Sequence, residues 1–145
     1  MEAQAQRQLL EGIRRIPIVD TLGIDIVEFD EGHCRAVVPH DRRFDGVYES
    51  FHGGLLMTVA DSVACFAIMT RTGGDQPMTT TDMNIRFLAP CLTDVTAVAK
   101  VIKFGRTLCP VAVDLFDAQG VQVAVAQVTY MLLSKAGNHM QKSGG

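Results

Sequence analysis

Apolar positions crowd the middle of the chain and alternate with polar ones after it. From Leu55 to Met69 the sequence LLMTVADSVACFAIM runs without proline and reads as one mostly apolar helix, entered through His52-Gly53-Gly54. Downstream the segments are short, β-branched and bounded by turn residues, which predicts strands at roughly Thr79–Phe87, Thr93–Phe104, Leu108–Phe116 and Val121–Leu133. Upstream, Ile24–Phe29 and His33–Val38 form a predicted hairpin around Asp30-Glu31-Gly32, where glycine can take a positive φ. Residues 3–13 favour a short amphipathic helix with Leu9, Leu10 and Ile13 on one stripe, and 16–23 a brief turn or helical segment. The stretch Pro39–Phe51 is longer than a simple connection requires, and loops of that kind often carry function.

This order predicts a single α+β domain over residues 1–145, an antiparallel sheet wrapped around one long central helix, with a flexible polar tail from about residue 134. A curled sheet covers one side of such a helix. Val95–Ala99 and Val121–Ala126 are mildly apolar at both alternations, so the outer face is expected to be buried by a second copy.

The chain has 145 residues, 48% of them hydrophobic, enough for one continuous core without metal or disulfide staples. Its formal charge of -3 is spread along the sequence, which speaks against a nucleic-acid or membrane partner. Cys34, Cys65, Cys91 and Cys109 lie far apart, with no histidine at metal-ligand spacing, and are read as free thiols with no metal site. The first residues lack the apolar core of a secretion signal, and Asp61 interrupts the best candidate for a membrane span. A cytoplasmic protein is expected.

Asp61 changes the picture most. A carboxylate within an apolar helix is costly in propensity and in lost hydration, so it is either satisfied by a partner or aimed into a cavity. Gly53 and Gly54 permit close backbone approach, and the first amides of the helix they open lack intrahelical acceptors. A ligand carbonyl or anion fits such a place.

His52-Gly53-Gly54 with Asp61, then Thr80-Thr81-Asp82-Met83-Asn84-Ile85 running to Phe87-Leu88-Ala89-Pro90, then Gly105-Arg106-Thr107, together resemble the hotdog-fold acyl-coenzyme A thioesterases of the phenylacetate-degradation (PaaI-like) type. The resemblance covers roughly Leu22 to Leu133. It implies a homodimer or a dimer of dimers (a homotetramer), with an active site at each dimer interface and no cofactor, coenzyme A being part of the substrate. It also implies that the Gly54 amide polarises the thioester carbonyl, while Asp61 of the other subunit acts as general base or nucleophile. His52 orients the site, and Thr80 positions the water or the acid. Arg106 beside Gly105 becomes the leading phosphate contact and Arg86 a secondary one. Phe51, Tyr48, Leu55, Met57 and Thr58, with Ser62 or Cys65, would line the acyl chamber, suiting an aryl or medium-chain group, and Gly53 counts among the substrate-binding residues.

Many relatives carry an asparagine or glutamine shortly before the histidine, where this chain has Asp45-Gly46 and Glu49. Asp45 is then a substitute acceptor or a turn residue, and Glu49 a second carboxylate near the thioester or a surface acid. A noncatalytic acyl-coenzyme A sensor and a hotdog-fold dehydratase are the alternative readings.

Overall fold

The structure, a computed structural model, describes residues 1–135. The expected tail lies, past its first two residues, outside that range. Two short helices, α1 (Ala3–Arg14) and α2 (Pro17–Leu22), lead into β1 (Asp25–Asp30) and β2 (His33–Val38). The long helix α3 (Gly53–Thr72) follows, and then β3 (Met78–Phe87), β4 (Val95–Val101), β5 (Leu108–Phe116) and β6 (Gln122–Leu132). All six strands form one antiparallel sheet in the order β1-β2-β4-β5-β6-β3, with α3 packed against its concave face. This is the hotdog arrangement.

Local chemistry explains the boundaries. Pro17 occupies the first turn of α2, where its missing N–H costs nothing, and Gly23 ends that helix in the left-handed region at φ 71°. The predicted hairpin closes with Asp30 opposite His33, leaving Glu31-Gly32 as its turn. Leu9 reaches Gly74 just beyond the end of α3, and Ile13 is buried, so α1 lies against the domain through its predicted stripe. The core is the inward alternation of the strands (Ala36, Val38, Ala97, Ala99, Val111, Val113, Leu115, Val128) against Val59, Val63, Ala64, Phe66 and Ala67 of α3.

Three expectations change. By length and hydropathy α3 could cross a bilayer despite Asp61; half of it is buried here as the core helix of the sheet. The outer sheet face is not simply apolar: one row across it reads Arg35, Val98, Asp114, Val125, Arg86, with charges between the valines. The third concerns β3. Its side chains alternate toward and away from the helix until a bulge between Thr80 and Asp82, where the parity switches. Met78 and Thr80 face inward before it, Met83 and Ile85 after it, and Asp82 is left exposed. With a ten-residue strand at the sheet edge, the unpaired side of β3 is the longest open backbone ladder among the described residues.

Candidate active site

The open face of α3 carries Thr58, Asp61, Ser62, Cys65 and Met69, all half-buried. Thr58 and Ser62 turn their hydroxyls back to helix carbonyls, Thr58 to Gly54 at 3.1 Å and Ser62 to Thr58 at 2.8 Å. Neither satisfies Asp61. Its carboxylate is held from the sheet: Thr80 Oγ1 donates to Oδ1 at 2.7 Å, and the Tyr130 hydroxyl lies 2.8 Å from the same oxygen and 2.8 Å from the Asp61 carbonyl. The tyrosine has one proton, shared between those two acceptors. Oδ2 has no hydrogen-bond partner among the described residues. The result is a half-buried carboxylate fixed through one oxygen.

Tyr130 was not among the sequence candidates. It sits on an inward position of β6 between Val128 and Leu132, where it passes for core. The available signal was its hydroxyl, because a buried tyrosine needs a partner for its O–H. Burial, more than the nearby Cys65 and Asp61, pushes its ionisation above the ordinary phenol range, so it remains a donor.

At the helix entrance the two glycine amides have different surroundings. His52 is the N-cap, and its Nδ1 accepts the Gly54 N–H at 2.9 Å. Its carbonyl accepts from Leu55 and Leu56, both at 3.0 Å. The amide left without an acceptor among the described residues is that of Gly53. A Cβ at Gly53 would meet the tip of the exposed Phe87 ring at 3.1 Å, so the ring would have to give by a few tenths of an ångström to admit a side chain. Gly53 lines a cleft of about 400 Å³ with Ser50, Phe51, Leu56 and the Phe87–Cys91 segment, while Gly54 faces a separate one of about 320 Å³ with Arg43, Phe44, Asp45, His52 and Leu55.

The loop before α3 is tied down by contacts that the sequence did not reveal. His52 N–H bonds Phe44 O at 2.9 Å, Phe51 N–H bonds Cys91 O at 2.8 Å, and Asp41 caps the short 3-10 turn Arg42–Phe44. Asp45 is turned inward rather than to solvent: its Oδ1 meets His40 Nε2 at 2.7 Å, and its side chain is only 12% exposed. The His40 ring stands against Phe51, and the His40 backbone N–H donates to Asp94 Oδ1 at 2.7 Å. Glu49 is an exposed non-glycine residue at φ 57°, on the surface of the loop. Tyr48 is 90% exposed in the isolated chain and lines neither cleft; Phe51 is buried, and Met57 and Thr58 are half-buried.

Within one chain Arg106 lies at the opposite sheet end from Gly53. Its turn joins β4 to β5 at the sheet end where Leu108 pairs with Met131 and Met78 with Leu132, whereas Gly53 packs on Phe87 at the far end of β3. Ten strand residues separate those ends, about 30 Å. A side chain at Gly105 would run into the Leu108 carbonyl, so that glycine serves the turn itself. Arg86 is exposed, one residue before Phe87. Among the described residues no three histidine, cysteine, aspartate or glutamate side chains gather as a metal cluster.

Comparison with known proteins gives a consistent picture. Residues 48–124, more than half of the chain, match the thioesterase superfamily model. Human acyl-coenzyme A thioesterase 13 is 35% identical over 83 residues, which is 55% of this chain and 59% of that protein, less than two thirds of its length. A solved thioesterase family protein from Silicibacter pomeroyi superposes with a TM-score of 0.81 at 25% identity, covering 89% of this chain and 98% of that one. The E. coli PaaI protein of the phenylacetic acid degradation operon has the same fold, with a TM-score of 0.81 at 22% identity over 90% of this chain and 94% of its own.

Proposed function

The chain belongs to the thioesterase superfamily, and from that premise we propose that it hydrolyses an acyl-coenzyme A thioester to the free acid and coenzyme A. The observation that carries this reading is the Asp61 carboxylate, pinned through Oδ1 by Thr80 and Tyr130 with Oδ2 left to act, on the open face of a helix whose first amide has no acceptor among the described residues. In hydrolysis Oδ2 takes a proton from water as the water oxygen attacks the thioester carbon. The carbonyl oxygen gains negative charge, which the Gly53 N–H and the positive end of α3 stabilise. Collapse of the tetrahedral intermediate expels the thiolate. Direct attack by Oδ2, forming an anhydride that water then cleaves, uses the same geometry.

Gly53 takes the role first assigned to Gly54, because the Gly54 amide is committed to His52. His52 is then the cap that keeps Gly54 occupied and the entrance in shape. Its Nδ1 acts as an acceptor there, which does not suit the proton-transfer histidine of a dehydratase.

One chain does not complete the reaction. Eight residues separate Gly53 from Asp61, about 12 Å along the helix axis, while the reacting carbon must lie within about 3–3.5 Å of the attacking atom and its oxygen about 3 Å from the amide. The two halves therefore come from different chains. Antiparallel pairing of two β3 edges brings the helices of two copies together, which also protects the open ladder.

The test is thiol release from a panel of phenylacetyl, hydroxybenzoyl, short-chain and long-chain acyl-coenzyme A thioesters, with Asp61→Asn beside the wild type. Turnover of at least one thioester that falls by three orders of magnitude or more in Asp61→Asn is expected. Unchanged turnover in a folded Asp61→Asn protein overturns the assignment, and tight binding without turnover by the wild type supports a noncatalytic acyl-coenzyme A module. Label on Asp61 after a single turnover in ¹⁸O water identifies the nucleophile, since it arises only from an anhydride that water cleaves at the Asp61 carbonyl.

A further inference from the structure

One turn beyond Asp61 on the same helix face stands Cys65, and it differs from the other three cysteines. Cys91 and Cys109 direct their sulfurs to the backbone oxygens of Thr93 and Gly105, and Cys34 is fully buried in the core. Besides the Tyr130 hydroxyl, Cys65 Sγ has two sulfur neighbours, Met78 Sδ at 3.7 Å and Met69 Sδ at 3.9 Å, and all three sulfur residues are half-buried. Met69 follows Cys65 by one further helical turn, and Met78 opens β3, so helix and sheet edge converge on the thiol.

That spacing has a chemical meaning. An ion bound by three sulfurs in a plane at about 2.3 Å from each holds them about 4 Å apart. The two separations around Cys65 are close to that value before any ion is bound. One thiolate and two neutral thioethers are a soft donor set, which selects Cu(I) over Zn²⁺, Mg²⁺ or Ca²⁺. A single positive charge on one thiolate is electrically neutral, as a half-buried place requires. We propose that Cys65, Met69 and Met78 form a binding site for a soft monovalent metal ion of the Cu⁺ class.

Binding breaks the S–H bond of Cys65, forms a sulfur–metal bond and releases one proton to solvent; the thioethers donate lone pairs, and nothing is oxidised or reduced. Burial pushes the empty thiol up to about 11, with Asp61 adding to the rise and Tyr130 opposing it, so only an ion that outcompetes the proton enters. The bound ion lies beside the Tyr130 hydroxyl and one turn from Asp61. Occupancy alters the donors of the carboxylate and lowers thioester turnover. The site itself stands on the sulfur geometry and does not depend on the proposed reaction.

Ag⁺, a redox-inert probe of the same class, tests it on the full chain. Native mass spectrometry and calorimetry of the wild type are expected to show one tight ion per chain with one proton released. Met69→Leu and Met78→Leu, which nearly conserve volume and leave the fold intact by circular dichroism, are each expected to weaken binding at least tenfold, and Cys65→Ser to abolish the tight site. X-ray absorption should find three sulfur neighbours. Undiminished affinity in both methionine variants, or an unchanged tight site in Cys65→Ser, overturns the proposal.

Discussion

Tyr130→Phe is the most informative single change at this site. It keeps the ring that fills the inward position of β6 and removes only the hydroxyl, which in the native protein reaches Asp61 Oδ1 and the Asp61 carbonyl, each at 2.8 Å. A hydrogen bond to a charged group contributes about 1.5–3 kcal/mol. The single proton is divided between two acceptors, so the lower end applies, and about 1.5 kcal/mol lost from the transition state is about a tenfold fall in kcat/KM. Thr80→Val removes the other donor to the same oxygen, at 2.7 Å, and should cost a similar factor. Because both groups hold Oδ1, the double variant is expected to be non-additive, its loss differing from the product of the single losses by more than about 0.5 kcal/mol. The assay is steady-state thiol release on the best thioester of the panel, with thermal melts to show that each variant is folded. If Tyr130→Phe and Thr80→Val both keep kcat/KM within twofold of wild type while Asp61→Asn is inactive, the pinned-carboxylate argument is refuted.

The other predictions test the remaining parts of the site. His52→Ala should lower stability by about 1 kcal/mol through loss of the helix cap, yet retain most of kcat if Gly53 is the amide that receives the oxyanion; loss of kcat to the level of Asp61→Asn would return that role to His52 and Gly54. In refolded mixtures of Asp61→Asn and Gly53→Val chains, half of the dimers are mixed and each has one intact site, so about a quarter of wild-type activity should return; no recovery would place both halves in one chain. Glu49→Gly relieves a residue at φ 57° and is expected to raise stability by up to about 1 kcal/mol in chemical denaturation. Alkaline stability follows from the thiols. Burial raises Cys34 to about 12 and Cys65 to about 11 from 9.0, so their contribution is fully present below pH 9 and is lost as pH rises toward those values. Urea midpoints measured from pH 8 to 11 should fall, less steeply in Cys34→Ala, with an identical slope in that variant counting against the thiol as the cause.

What the sequence disclosed and what it hid follow from the range of the interactions involved. The apolar run of α3, the turn residues and the β-branched segments act locally, so the strands were legible to within a few residues; Thr93–Phe104 shrank to Val95–Val101 because Thr93 is spent on Ala118 N–H and the Asp94 carbonyl, and Ile102 bonds Pro110 beyond the regular ladder. Asp61 and Thr80 were legible as an anomaly and a motif. Tyr130 was hidden because its partner lies 69 residues away and its strand pattern is that of core. The pairing of Asp45 with His40 was hidden for the opposite reason, since two polar residues five apart in a loop give no periodic signal. The different partners of the Gly53 and Gly54 amides depend on a ring nitrogen of His52, a detail of local geometry that the sequence does not rank.

The bulge in β3 links edge, site and specificity of pairing. In a regular strand Thr80 and Asp82 would share a face, and an acid would be carried under α3 beside Asp61, where two carboxylates within a few ångströms repel strongly. The extra residue at Thr81 sends Asp82 outward and leaves Thr80 as the hydroxyl donor, while Met83 and Ile85 resume the apolar inner face. The same displacement increases local twist on the open edge strand, which narrows the ways a second β3 can align with it. Deleting Thr81 would leave Thr80 inward and Asp82 outward in an ordinary alternation, so the change would be felt at the open edge, which loses the twist that fixes its register.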